Sequence, residues 1–273
     1  MSLQLNRKPR AGNLTNWLIN MSEEPRAIAS RRGTRRQPEA SRDAILHAAL
    51  AEFAQEGLAG ARMDAIATAA GVNKALLYYY FHDKETLYGA VLDRFFIRLT
   101  EHVMRELNGV GPLGERLLRY TCAHFDCVAE SPHYARLFQG ELMSAGRGGS
   151  PHVIRIAEKY IRAIAMRVTE LLQQGTASGE FRRVDPVQFA PSIAAINVHY
   201  FVIAPVTRAL FGRDPYAPEA ICQRRAAVLD FVAAALFTDR EAGVKLAAEI
   251  ARQKETVRQE DASPGEGTGG DRE

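Results

Sequence analysis

An all-α fold is predicted by three observations. Amphipathic segments with apolar residues three and four apart follow one another from about residue 39 to residue 259. No stretch alternates polar and apolar side chains as a half-buried strand would. Gly and Pro fall mostly between these segments, where they punctuate helices. Composition agrees: of 273 residues, 47% are hydrophobic and 25% charged, the proportions of a globular protein long enough to bury a core unaided. Wholesale disorder, collagen-like repeats and disulfide-dense scaffolds are excluded. Cys122, Cys127 and Cys222 form no CxxC pair, which argues against a zinc ribbon or disulfide framework and fits a reducing, cytoplasmic compartment.

Residues 1–38 carry eight cations against two carboxylates, a net +6 in a protein whose total is +3. They lack helical or strand periodicity and end in Arg31, Arg32, Arg35 and Arg36, so a flexible basic arm is expected. The first helix is placed at 39–55, with Ile45, Ala49 and Phe53 on one stripe beside Leu46 and Leu50 and Gly57 as its stop. A short helix follows at 63–70. Gly71-Val72-Asn73 makes a tight turn, and Asn73 is placed to cap a third helix running to about Phe81. A longer fourth helix begins after Asp83, turns Leu87, Val91, Phe95, Leu99 and Val103 inward, and breaks at 109–112.

Five further helices are expected at 113–130, 132–144, 151–174, 186–211 and 218–237, four of them opening at Pro, which the first helical position tolerates. Pro191 and Pro205 should kink or split the fourth of these. A charged helix at about 239–259 extends past the packed body, and a Gly-rich flexible tail ends the chain. No apolar run approaches the roughly 20 residues of a membrane span, so no membrane partner is expected.

Two short helices joined through Gly71 have the geometry of a helix-turn-helix, whose second helix lies in a DNA major groove. On that helix Leu77 and Phe81, four apart, share the inward face, while Lys74, Ala75 and Tyr78 point away from the core. Lysine donates to guanine acceptors, an alanine methyl touches thymine, and a tyrosine hydroxyl reaches phosphate. The run Tyr78-Tyr79-Tyr80 reads alternatively as a packed aromatic corner.

At Ile66-Ala67, Gly71-Val72-Asn73-Lys74, Leu77-Tyr78-Tyr79-Tyr80-Phe81 and Lys84-Glu85-Thr86-Leu87 the chain resembles the TetR family of transcription regulators. The resemblance covers roughly residues 41–91. It implies that Lys74, Ala75 and Tyr78 face bases, that Tyr80 and Lys84 hold phosphates, and that Leu77 and Phe81 fix the recognition helix. Two departures stand out. Ala61 and Arg62 replace the family's usual threonines, which removes a hydroxyl cap and makes Arg62 a candidate phosphate anchor. Asn73 replaces the commoner serine, which preserves capping and adds an amide.

The implied organisation is a basic arm (1–38), a DNA-binding module (39–88), a helical ligand-binding and dimerisation domain (89–238) and a charged extension with its tail (239–273). Residues 39–85 hold four cations against seven carboxylates, a net −3, so the arm is expected to supply the positive charge that DNA binding needs. Phe125, Tyr134, Phe138, Met143, Met166, Asn197, His199 and Tyr200 are candidates to line an effector cavity, although the apolar ones serve equally as core. The histidines lack metal-ligand spacing, and no cofactor is expected. The resemblance implies a homodimer through helices 186–211 and 218–237. Ile221, Val228, Leu229, Val232 and Leu236, with Ala194 and Ala195, are its expected contact stripe. The reading is therefore a repressor that binds a palindromic operator in double-stranded DNA and is released by a small molecule. A helical binder without DNA function, or a helical enzyme using His124 or His199, are the competing classes.

Overall fold

The computed structural model describes residues 38–144 and 150–262. The basic arm and the Gly-rich tail lie outside them. Twelve α-helical stretches and one π turn follow in order: α1 (Pro38–Gly60), α2 (Met63–Ala69), α3 (Lys74–Tyr80), α4 (Lys84–Leu107), α5 (Leu113–Ala129), α6 (Pro132–Ser144), α7 (Pro151–Ile156), the π turn (Ala157–Ile161), α8 (Arg162–Ala177), α9 (Pro186–Val202), α10 (Ala204–Phe211), α11 (Pro218–Leu236) and α12 (Arg240–Ala262). Local chemistry sets many of the boundaries. The carboxylates of Asp83 and Asp185 accept from Thr86 N (2.6 Å) and Val187 N (2.9 Å), and the Ser150 hydroxyl accepts from His152 N (3.1 Å), each satisfying an amide with no partner inside its helix.

Helix α5 is the axis of the body. Ten of its residues between Leu117 and Val128 are buried, so it is surrounded on nearly all sides. The adjoining helices α4, α6, α8, α9 and α11 pack on it. Its central salt bridge joins Asp126 to Arg225 of α11 at 2.7 Å, with both side chains largely covered. Helix α4 connects the head to the body. Its stripe Leu87, Val91, Phe95, Leu99 and Val103 is buried throughout, and Tyr88 meets Phe53 of α1 edge-on at 4.9 Å.

The structure departs from the sequence reading in four places. Helix α1 is interrupted at Gly57 as expected, where the backbone leaves helical angles at φ 67° and ψ 176°, but a further short turn carries it on to Gly60. Of the two prolines in 186–211, only Pro205 coincides with a break. Helices α9 and α10 meet at Ile203 with a 58° bend, and Pro205 sits in the first turn of α10, where its missing N–H costs nothing. The segment 151–174 contains a π turn and runs on to Ala177. Lastly, α12 packs on the body: Ala247, Ile250 and Ala251 join the core, and Arg119 of α5 donates to the Gln253 side chain at 3.0 Å. Small apolar residues three and four apart inside a charged helix were the available signal.

The expected dimer stripe needs a larger correction. Ile221, Val228, Leu229, Val232 and Leu236 are all buried within the single chain, because they face α5 and its neighbours. The apolar residues that α9, α10 and α11 present to solvent are others: Val187, Val206, Leu210, Phe211 and Phe231. No single helix among the described residues is long and apolar enough to cross a membrane.

Candidate nucleic-acid interface

The turn between α2 and α3 is a helix C-cap of the Schellman type. Val72 N donates to Ala67 O (3.0 Å), Gly71 N to Thr68 O (3.0 Å), and Gly71 sits at φ 63°, a conformation a side chain would strain. Asn73 then caps α3, its Oδ1 accepting from Leu76 N at 2.7 Å. Leu77 and Phe81 are buried at 0% and 2% exposure. Burying each contributes roughly 1.5–3 kcal/mol, enough to hold a two-turn helix that would not persist alone.

The outward face of α3 carries Lys74, Ala75, Tyr78 and Tyr79. Tyr79 is the most exposed of the three tyrosines at 74%, a residue the sequence reading left without a role. Its position two residues after Leu77 placed it off the inward stripe and was the available clue. Lys74 pairs with Asp64 of α2 at 2.7 Å, and its ammonium lies 5.9 Å from the Tyr78 ring centre. The Asp64 carboxylate raises the Lys74 pKa above its ordinary value, so the cation is permanent at neutral pH. Because both side chains are exposed, the pair is screened by solvent, contributes little to stability and opens readily for a competing acceptor.

Tyr80 and Lys84 face different surroundings. The Tyr80 hydroxyl donates to Pro38 O at 3.1 Å, tying the recognition helix to the residue at which the chain enters α1. The Lys84 ammonium donates to Ala59 O at 2.9 Å and Ala61 O at 3.1 Å. It thereby satisfies the free carbonyls after the Gly57 kink. A phosphate reaching Lys84 would share it with these carbonyls. Arg62 is exposed and precedes α2 with no side-chain cap. The missing threonine hydroxyl is not replaced there, while Glu52 Oε1 accepts from Arg62 N at 3.0 Å.

The effector candidates divide. Phe125 and Tyr134 are buried and Phe138 half-buried: Phe125 lies 5.6 Å from Phe201, Tyr134 stacks on Phe95 at 4.8 Å, and Phe138 meets Phe96 at 5.1 Å. Asn197 is fully buried, donating from Nδ2 to Thr121 O and His124 Nδ1, both at 3.1 Å. Met143 and Met166 are corrections, exposed by 77% and 67% on the outer faces of α6 and α8. His199 also points to solvent, on the side of α9 away from Asn197. Tyr200 is half-buried, packs against the core beside Phe201, and lines an open cleft.

The comparisons with known proteins follow this division into head and body. Residues 45–91 match the profile of bacterial regulatory proteins of the tetR family, and residues 114–232 match the tetracyclin repressor-like C-terminal domain. The HTH-type transcriptional regulator RutR of Escherichia coli is 31% identical over 173 residues, 63% of this chain and 79% of RutR. The HTH-type transcriptional repressor SCO4008 of Streptomyces coelicolor is 38% identical over 130 residues, 48% of this chain, and the match spans just under two thirds of SCO4008, 64%. Among solved structures, the putative transcriptional regulator SCO4942 from Streptomyces coelicolor superposes with a TM-score of 0.56 at 28% identity, over 72% of this chain and 98% of that one. With a helix-turn-helix head, an all-helical body and sequence similarity that runs through both, the chain belongs to the TetR family of transcriptional regulators, which are DNA-binding proteins and not enzymes.

Proposed function

We propose that the chain is a repressor that binds a palindromic operator as a homodimer and leaves it when a small molecule enters the helical body. The observation that supports this best is the two-sidedness of α3. Leu77 and Phe81 lock one face to the core, and the other presents a permanent cation, a methyl group and two phenols in one patch. Lys74, Ala75 and Tyr78 would read bases, joined by Tyr79. Arg62, Asn73 and Lys84 would meet phosphates, and Tyr80 would position the point from which the basic arm departs. With a net −3 on the head, that arm supplies the missing attraction.

In the release step, α4 acts as the connecting rod. Its outer face is tied to α7 by Arg155 to Asp93 (2.5 Å) and His152 to Glu85 (3.1 Å). A displacement of α7 by an effector among Phe125, Tyr134, Phe138 and Asn197 would travel along α4 to the head and alter the spacing of two recognition helices. That spacing is about 34–36 Å, or a multiple of it, for half-sites on one face of DNA. A coupling of about 1–3 kcal/mol changes operator affinity by roughly 5–150-fold.

Footprinting of the full chain on DNA flanking its own gene tests the reading. A protected palindrome, lost in Lys74→Gln and Tyr78→Phe while their circular dichroism melts match the parent, is expected. No protection of any duplex at low salt overturns it.

A further inference from the structure

An open cleft of about 640 Å³ lies where α9, α10 and α11 meet, lined by Tyr200, Thr207, Phe211, Arg213, Gln223 and Arg224 among others. Its charge is unbalanced. Arg224 is half-buried, lies 5.1 Å from the Tyr200 ring centre, and donates from one Nη to Ile196 O at 3.1 Å. Its Nε is buried without an acceptor, and no carboxylate among the described residues lies within ion-pair distance. The next residue shows what the fold does for a guanidinium it means to neutralise: Arg225 has Asp126 at 2.7 Å. Arg213, on the cleft wall, is exposed and forms no ion pair among the described residues. The one carboxylate on the wall, Asp214, is already committed to Arg208 (2.6 Å) and to Tyr216 N (3.2 Å).

Partly desolvating a guanidinium with no counter-ion is unfavourable, and burial pulls the Arg224 pKa below its ordinary value. The walls are also fixed. Tyr200 donates its hydroxyl to Pro215 O (3.2 Å) and Tyr216 donates to Phe201 O (3.3 Å), so the loop between α10 and α11 is pinned to α9 from both sides. Beside the cations the lining turns apolar at Phe211, which is 70% exposed, and at Pro215 and Ala220.

We propose that this cleft is a binding site for a small amphipathic carboxylate, whose anionic end is drawn to Arg213 and Arg224 and whose apolar portion lies on Phe211 and Pro215. It is separate from the buried cluster around Phe125 and Asn197 but borders the α9 to α11 face through which the proposed dimer forms, so light scattering of each variant distinguishes loss of this site from loss of the dimer.

Calorimetric titration of the full chain with 3-phenylpropionate, and with the uncharged 3-phenylpropanamide, tests it. A charge-assisted contact should make the carboxylate bind roughly tenfold to a hundredfold more tightly than the amide. Arg213→Gln and Arg224→Gln should each erase most of that preference while amide binding stays as it was. Arg213 is exposed, so its variant is not expected to disturb folding, and an unchanged melting curve will verify that. Equal binding of acid and amide, no binding of either, or a preference that survives both substitutions overturns the proposal. So does a change of oligomeric state in Arg213→Gln by light scattering without a carboxylate preference in the parent, because the counter-ion would then be an acidic side chain of a second copy.

Discussion

Asn197 and His124 are joined at 3.1 Å inside the body, with the amide Nδ2 as the shared donor: it reaches both His124 Nδ1 and Thr121 O. The backbone carbonyl can only accept, so it fixes the amide orientation and requires Nδ1 of His124 to be an unprotonated acceptor. Burial independently pushes His124 down to about 4. The folded protein therefore holds a neutral imidazole that the unfolded chain, with a histidine pKa of about 6.5, would protonate.

A pH dependence of stability follows. His124 has a depressed folded pKa, so its contribution is intact above about 6.5 and is lost as pH falls from there towards about 4, up to about 3 kcal/mol in all. Urea midpoints measured between pH 7 and pH 5 should fall for the parent, above the range where most carboxylates titrate. His124→Gln should flatten that decline. An identical slope in the variant would show that the acid sensitivity lies elsewhere.

Three glycines surround the pair Phe181 and Phe237, whose rings meet edge-on at 5.4 Å. A Cβ on Gly175 would lie 2.0 Å from the Phe181 ring, and one on Gly114 2.3 Å from Phe237. Neither ring can retreat easily, since Arg182 N to Leu236 O (2.9 Å) and Thr238 N to Glu180 O (3.0 Å) clamp the two segments together. Gly175→Ala gains up to about 1 kcal/mol of helix propensity but overpacks at about 1–3 kcal/mol, and a net loss of roughly 1–2 kcal/mol is expected. Gly140→Ala is the control. An added Cβ there would meet nothing within 4 Å outside its own stretch of helix backbone, so the same substitution there should stabilise. If both variants behave alike in chemical denaturation, the glycine contacts are unimportant.

The Lys74–Asp64 pair gives a test of the nucleic-acid face. Asp64→Asn frees the ammonium and removes a negative charge from the surface offered to phosphate. Operator affinity at low salt should rise by roughly 2–10-fold, as expected for one unscreened charge, with a steeper salt dependence in fluorescence anisotropy. A modest loss of stability, about 0.3–1 kcal/mol, should accompany it because Asp64 sits in the first turn of α2. Unchanged or weaker binding would place Lys74 away from the DNA.

What the sequence discloses and what it withholds divides along range. The Gly71 turn, the Asn73 and Asp83 caps and the buried stripes of α1 and α4 are set by residues within four or five positions of one another, and each was readable in advance. Lys84 was not. Its carbonyl partners at Ala59 and Ala61 lie more than twenty residues away and depend on the kink at Gly57. Met143 and Met166 look like core residues by type, yet three-dimensional packing leaves them outside. Helix α11 is apolar on both sides, with Val228, Leu229 and Val232 on one and Ala227 and Phe231 on the other. Periodicity alone gives no reason to send the first set inward.

That ambiguity carries the last prediction. With Val228, Leu229 and Val232 committed to the core, a two-fold contact through α9 to α11 has to use the outward set, namely Val187, Ala195, Val206, Leu210, Ala227 and Phe231. Phe231 is 59% exposed with the small Ala227 one turn before it, an arrangement that lets a partner's ring sit against a shallow neighbour. Phe231→Glu should convert the dimer to a monomer in light scattering while moving the chain's own stability by no more than about 0.5 kcal/mol, as for other surface changes. Operator affinity should then collapse to that of a single half-site, because the second contact is no longer intramolecular. Val228→Ala supplies the opposite pattern: a core cavity should cost about 1–3 kcal/mol with the stoichiometry kept. A Phe231→Glu protein that remains dimeric would move the interface to another face, and the spacing argument for the operator would have to be rebuilt from that face.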